Sequence, residues 1–367
     1  MQKVRFLKNI DRFFGNAAVF FMGKAKPRPW QTPRKILFIR PGGIGDAVYL
    51  LRAIHAVKDK YPSCSITVLA EKRNAAIFSF SRDVSRVLLY DRIPDLLAAI
   101  RGGFDVVVDT EQWHRLSAVI ARLTGAPLSI GFATNNRKKL FTHPIDYSHD
   151  THESDSFLAL LNPLGIPPTE IPTHLLEVPS QAVEIVKKKL AVLAGNPYIV
   201  LFPGASIPER RWGTSRFQEL ARRLHGRGIS VVVVGGRGDE VAGDMIVAAV
   251  DGLNFAGKTS LAETAGLLAK SMLLVTGDSG LLHIAAELGV PTVSLFGPGI
   301  ENKWAPRGSR HIVLNKHLAC SPCTRFGYTP KCHIAARCLA LITVADVENA
   351  ICSILGQVAV LRRLGSE

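Results

Sequence analysis

Three short stretches carry residue types that can do chemistry together. In TGDSGLLHIAA, residues 276–286, a carboxylate, a hydroxyl and two glycines come just before an apolar helical pattern. Glycine lets a backbone approach a ligand closely, and a helix start aims unpaired N–H groups at the same point, which suits a phosphate. Asp278, Ser279, Gly280 and Leu281 are thus candidates for an anion-holding turn, with His283 beside it; the alternative is a helix cap with His283 as packing. In FPGASIPERRW, residues 202–212, the small residues Ala205 and Ser206 precede Arg210 and Arg211. Guanidinium groups present fixed donors to phosphate oxygens, so this reads as a pyrophosphate cradle or, alternatively, as a solvated basic turn. In RPGGIGD, residues 40–46, Asp46 stands where a strand meets a helix, either as an N-cap or as a base for a hydroxyl proton. A dinucleotide fingerprint fits poorly here. Taking Gly43 and Gly45 as its first two glycines puts Val48 where a third Gly or Ala is needed, even though Glu71 mimics the ribose acid.

The elements that must hold these turns alternate between strand and helix. Apolar runs predict strands over 35–40, 65–70, 87–90, 106–109, 198–202, 229–234, up to 275, and over 292–296. Helical patterns fill 44–60, 113–123, 181–194, 215–224, 281–288 and 344–361. Such alternation implies an α/β protein with parallel sheets, whose ligands bind outside the carboxyl ends of the strands. Asp239 and Glu240, after the strand at 229–234, can meet a ribose there, and the loop 255–261 with Thr259 faces the same edge. Residues 162–179 hold five prolines and mark a linker. The division expected is an extension over 1–34, a first α/β domain over 35–178, a second over 179–343 and a last helix over 344–367.

Composition narrows the partners. The 367 residues carry 45 Lys and Arg against 30 acids, a net charge of +15. That excess calls for a phosphorylated substrate or an anionic membrane surface; nucleic acid ranks last, because aromatic content is 7% and no basic-aromatic interleaving appears. No apolar run reaches the length of a bilayer span. Residues 1–34 contain eight basic residues and one acid, Asp11, with Val4, Phe6, Leu7, Ile10, Phe13 and Phe14 near helical spacing. This is an amphipathic helix for a membrane surface or for the protein's own surface, and not a signal peptide. The polar loop 134–139 adds Arg137 and Lys138, and His143, His149 and His152 follow without metal-ligand spacing. Cys320, Cys323, Cys332 and Cys338 lack the second tight hook of common zinc ribbons. A structural loop of reduced thiols is expected there, with zinc as the alternative.

Together, RPGGIGD, FPGAS with ERRW, GKTSL, and GDSGLLHIAA before LFGP resemble glycosyltransferase family 9, the ADP-heptose:lipopolysaccharide heptosyltransferases. The resemblance covers residues 35–355, with the motifs in the right order. It implies a GT-B architecture: two Rossmann-like domains with parallel sheets facing across a cleft, acceptor on the first, nucleotide-sugar on the second, and the last helix packing back on the first. By motif it makes Asp46 the catalytic base. Ala205, Ser206, Arg210, Arg211, Asp278, Ser279, Gly280, Leu281 and His283 surround the donor diphosphate, and Asp239, Glu240 and Thr259 its nucleoside. Gly43, Gly45, Arg137 and Lys138 fall to the acceptor. Arg210 stands where the family usually has a lysine, and Ala205 replaces a hydroxyl-bearing residue. The chemistry implied is inverting transfer from an ADP-sugar to a lipid-linked oligosaccharide, with no divalent metal, by a cytoplasmic protein peripheral on the inner membrane. A sugar-nucleotide epimerase and a non-catalytic nucleotide or glycan binder are the alternatives.

Overall fold

In KILFIR and SITVLA one exposed residue is followed by five buried ones. A run buried on both faces is what a parallel strand between layers of helices requires. These segments are β1 (Lys35–Arg40) and β2 (Ser65–Ala70), paired in parallel from Lys35↔Ser65 to Arg40↔Ala70. With β3 (Arg86–Leu89), β4 (Val106–Asp109), β5 (Leu128–Phe132) and β6 (His143–Ile145) they form one parallel sheet of order β3-β2-β1-β4-β5-β6. A second parallel sheet comprises β7 (Tyr198–Phe202), β8 (Ser230–Val233), β9 (Leu253–Asn254), β10 (Leu273–Gly277), β11 (Thr292–Leu295) and β12 (His311–Leu314), in the order β12-β11-β10-β7-β8-β9. The computed structural model describes residues 11–167, 174–248, 250–325 and 328–364, and the chain splits into two units, Met1–Glu177 and Val178–Glu367.

Both sheets share one topological feature. The chain builds outward on one side of its first strand and then returns to fill the other. The direction of winding therefore reverses between β1 and β4, and again between β7 and β10. Outside the carboxyl ends of such a strand pair lies a crevice, the usual ligand position in open α/β sheets.

Each unit has its own core. Leu37, Ile39, Val107, Ala118 and Phe141 are buried together in the first, with Val19 from the N-terminal extension. Leu201, Trp212, Phe217, Val275 and Leu295 are buried in the second, together with Val347, Ala350, Ile351 and Ile354 of the last helix, Val344–Leu364. The side chains of residues 357–364 lie outside the description, as does the expectation that they pack on the first unit.

Several boundaries differ from the sequence reading. The described part of the extension is a turn of π-helix, Asp11–Gly15, followed by a short α-helix, Asn16–Phe21. Val4, Phe6, Leu7 and Ile10 lie outside the described residues, as do positions 168–173 of the linker. The helix expected from 113 begins at Leu116, because the Asp11 carboxylate accepts the backbone N–H groups of Arg115 and Leu116, each at 2.7 Å. The helix expected over 181–194 spans Ser180–Lys189 and ends in a 3-10 turn, Ala191–Leu193, stopped by the left-handed residues Ala194 and Gly195. His143 lies on β6, a strand for which no apolar run was expected.

Candidate active site

At the first reversal point the sequence supplies a strand that ends in a charge. Arg40 closes β1 and is 2% exposed. Its Nη1 donates to the Thr110 carbonyl at 2.7 Å, joining the ends of β1 and β4, and its Nη2 reaches Asp46 Oδ2 at 3.1 Å. Gly42 permits this arrangement: its φ is +127°, and a Cβ there would stand 2.7 Å from Arg40 Nη2. Asp46 sits in the first turn of the helix Ile44–Lys60, where the dipole favours a carboxylate, and its side chain stays 23% exposed. Gly43 is the N-cap of that helix, and Gly45 lies within its first turn.

The shell around Asp46 is acidic. Burial raises its pKa, Arg40 pulls it down, and the negative charges of Glu153 and Glu111 push it back up, leaving it at about 6. Glu153 is wholly buried and accepts from Tyr147 Oη at 3.0 Å and from Gln112 Nε2. Glu111, by contrast, is held low: burial opposes ionisation, but Arg40, His114 and Arg137 outweigh it. A largely buried carboxylate with its pKa raised to about 6 is suited to taking a proton from a hydroxyl.

Of the other residues assigned to this unit, Lys138 is exposed and Arg137 is wholly buried. Arg137 pairs with the buried Asp109, donates to the Glu111 carbonyl and to Ser117 Oγ at 3.3 Å, and lies over the Phe141 ring at 5.2 Å. Arg137, expected to bind the acceptor, is instead held in an internal ion pair at the end of β4, where Asp109 neutralises it away from solvent. His152 accepts from Ser154 N and meets the Tyr49 ring, His149 meets Tyr147, and His143 bonds Thr142 Oγ1. Arg40, Glu111, Tyr147 and Glu153 were not singled out from sequence. The one available signal was a charged residue ending an otherwise apolar run, at Arg40.

At the second reversal point the turns after β7 and β10 meet. Arg210 Nη1 pairs with Asp278 Oδ2 at 2.7 Å, the two side chains being 14% and 7% exposed. Arg210 Nη2 donates to Thr324 Oγ1 at 3.3 Å, and its buried Nε–H has no hydrogen-bond partner among the described residues. The Nε–H groups of Arg40 and Arg137 are buried in the same state, so it is the place of Arg210 beside Asp278 that makes its Nε–H a donor for an incoming acceptor. Burial pushes the Asp278 carboxyl up, against the pull of Arg210. Two glycines make room: a Cβ on Gly277 would meet the Arg210 carbonyl oxygen at 2.8 Å, and one on Gly299 would collide with Asp278 Oδ2.

Arg211 is turned toward a separate carboxylate. Its Nη2 lies 3.1 Å from the Ala205 carbonyl and 3.3 Å from Asp239 Oδ1, and Asp239 Oδ2 accepts Gly236 N–H at 3.0 Å. Ser206 is exposed beside them. Ser279 caps the helix Gly280–Glu287, its Oγ accepting Leu282 N–H at 3.4 Å and bonding Thr276 Oγ1 at 3.1 Å. The N–H groups of Gly280 and Leu281 precede the first intrahelical bond. Leu281 and His283 are buried at 8% and 4% exposure. Thr259 bonds Thr264 Oγ1 at 3.0 Å, and the exposed Glu240 leans over Gly257, so these two stand at the β8–β9 side, apart from the Arg210 pair.

All four cysteines of the C-terminal loop are free thiols; Cys338 is buried and Cys320 exposed. Burial, with the neighbouring thiols, pushes Cys323 and Cys338 up, and Cys332 Sγ accepts Ala336 N–H at 3.2 Å. Among the described residues no group of three or more His, Cys, Asp or Glu side chains is placed to hold a metal ion.

Two parallel six-stranded sheets, each with an arginine–carboxylate pair at its reversal point, make an α/β protein whose fold matches the GT-B glycosyltransferases of solved structure. The family model for glycosyltransferase family 9 (heptosyltransferase) matches residues 95–333, and the chain belongs to that family of enzymes. It is 28% identical to lipopolysaccharide heptosyltransferase 2 of Escherichia coli over 311 residues, 76% of this chain and 87% of the relative. The solved structure of E. coli ADP-heptose lipopolysaccharide heptosyltransferase II matches with a TM-score of 0.72 at 25% identity, covering 88% of this chain and 99% of that one. The iron-containing dodecameric glycosyltransferase TibC from enterotoxigenic E. coli shares the fold, with a TM-score of 0.59 at 16% identity over 91% of this chain and 78% of that one.

Proposed function

We propose that this chain is an inverting, metal-independent heptosyltransferase that moves a heptose or related sugar from an ADP-sugar to a lipopolysaccharide core acceptor. Asp46 is the general base. Its carboxylate, fixed through Oδ2 by Arg40 and raised to about 6, is the observation that carries the reading, because it is ionised at neutral pH yet basic enough to take a hydroxyl proton. As the acceptor oxygen bonds to the anomeric carbon, the bond to the diphosphate breaks on the opposite side, which inverts that centre. The departing diphosphate gathers negative charge. Arg210, through its open Nε–H, Arg211, and the N–H groups of the 278–281 turn stabilise that charge, the role a metal plays elsewhere. Asp278 keeps Arg210 oriented before the donor arrives. Asp239, Glu240 and Thr259 serve the nucleoside, and Lys138, Gly43 and Gly45 the acceptor.

The word lipopolysaccharide in the relatives' names and the basic excess of residues 1–34 favour work at an anionic membrane surface, which we place on the inner face of the inner membrane. Among the described residues no helix is long and apolar enough to cross it. The test is incubation of the full chain with ADP-heptose and a heptose-deficient lipopolysaccharide in the presence of a chelator. Chelator-insensitive transfer with inversion is expected; donor consumption that needs no acceptor would contradict the reading.

A further inference from the structure

The helix Asn16–Phe21, with the turn before it, has two unlike faces. Gly15 and Val19 are buried and Met22 packs on the first unit's core, a spacing of four and three residues that marks one side of a helix. Four further ties fix the segment. Asp11 caps the helix Leu116–Leu123, Asn136 Nδ2 donates to Asn16 Oδ1 at 3.2 Å, Lys139 Nζ donates to the Phe20 carbonyl at 3.3 Å, and Ala25 N–H donates to the Lys139 carbonyl at 2.8 Å.

On the opposite face Phe14, Phe20 and Phe21 are 68%, 77% and 83% exposed, with the Phe20 and Phe21 rings edge to face at 5.4 Å. Neighbouring exposed phenylalanines on an anchored helix are unfavourable in water unless something covers them. Charge says what covers them. No Asp or Glu occurs between Arg12 and Arg34, while Lys24, Lys26 and Arg28 are exposed just beyond the rings and Lys138 is exposed on the adjoining turn. Aromatic rings backed by cations and free of acids match an anionic bilayer, with rings at the acyl boundary and cations among the phosphates.

We propose that Phe14, Phe20 and Phe21, with Lys24 and Lys26, form the surface that docks the first unit on an anionic membrane. This deepens the membrane-side reading of residues 1–34 and is measured without any sugar transfer. The experiment is flotation of the full-length protein with vesicles of phosphatidylglycerol and phosphatidylethanolamine, against vesicles of phosphatidylcholine. Wild type is expected to float with the anionic vesicles. Phe14→Ser/Phe20→Ser/Phe21→Ser should lower that partitioning by about tenfold or more, and Lys24→Gln/Lys26→Gln should remove much of its salt sensitivity. A Phe20→Trp variant gives a second readout, a blue shift of tryptophan emission on anionic vesicles, that does not depend on the triple variant's folding. Transfer to a delipidated, water-soluble core oligosaccharide should stay at the wild-type level in all these variants, which separates a failure of docking from a failure of the enzymatic reading. The proposal is overturned if wild type does not float with anionic vesicles, or if flotation survives the serine changes. It is also overturned if the serine changes dissolve a lipid-independent dimer, which would make a second copy the occupant.

Discussion

Asp46 is ionised at neutral pH only against opposition. Three influences compete on it: burial and the acids Glu111 and Glu153 favour the protonated form, and Arg40 favours the carboxylate. A base with a pKa near 6 is protonated, and idle, below that value, so kcat/KM should fall tenfold per pH unit as the pH drops below about 6. Removing a neighbouring negative charge lowers the cost of ionising Asp46. Glu153→Gln should therefore move the acidic limb to lower pH, measured as the pH dependence of kcat/KM; a limb that stays in place or moves upward would show that Glu153 does not act on the base. The candidacy of Asp46 was legible in the sequence from its place after RPGGIG. Its poise was not, because Glu111 and Glu153 reach it from parts of the chain 65 and 107 residues further on. Arg137 was misread for a related reason. A cation in a polar loop looks solvated, and only the fold brings Asp109 to it.

Among the elements, β1, β2, β4, β7 and β10 were readable because their buried faces leave unbroken apolar runs. The three residues of β6 and the two of β9 are too short to show a period, and both are edge strands. The start of the helix Leu116–Leu123 was illegible because its cap comes from Asp11, more than a hundred residues earlier. That cap is testable. Hydrogen bonds from His114 and the backbone of Leu116 and Arg115 outweigh the opposing effect of burial and hold the Asp11 carboxyl below its usual 3.8. A lowered carboxylate contributes stability that is complete above the unfolded value and lost as the pH falls through the folded one. Asp11→Ala should cost about 1–2 kcal/mol in urea unfolding at pH 7, with the deficit shrinking below about pH 4. A deficit independent of pH would mean that the charge of Asp11 is not what matters.

For the whole molecule, the proposal assigns the donor to one of two units that have separate cores and matching reversal points. If the donor's diphosphate belongs to the second unit, ADP should protect residues 203–211 and 277–281 from hydrogen exchange. At a hundredfold excess over Kd it should stabilise the protein by about 2.7 kcal/mol. Arg210→Met should abolish both effects, since it removes the buried open donor and leaves Asp278 unpaired. Protection confined to the first unit would reverse the assignment. The two-unit α/β plan was legible from the alternation of elements and the proline-rich stretch at 162–179. The anchoring of the extension through Val19 and Asp11, with its phenylalanines outward, was not, because helical spacing alone fits a membrane and a protein surface equally well.

In the proposed chemistry Asp46 removes the acceptor proton while the second unit holds the donor independently of it. The most direct test is single-turnover heptose transfer by Asp46→Asn, with ADP binding measured on the same sample. The expected result is a loss of transfer of about 10²–10⁴-fold with ADP affinity unchanged. Transfer within a fewfold of wild type, at unchanged ADP affinity, would contradict it.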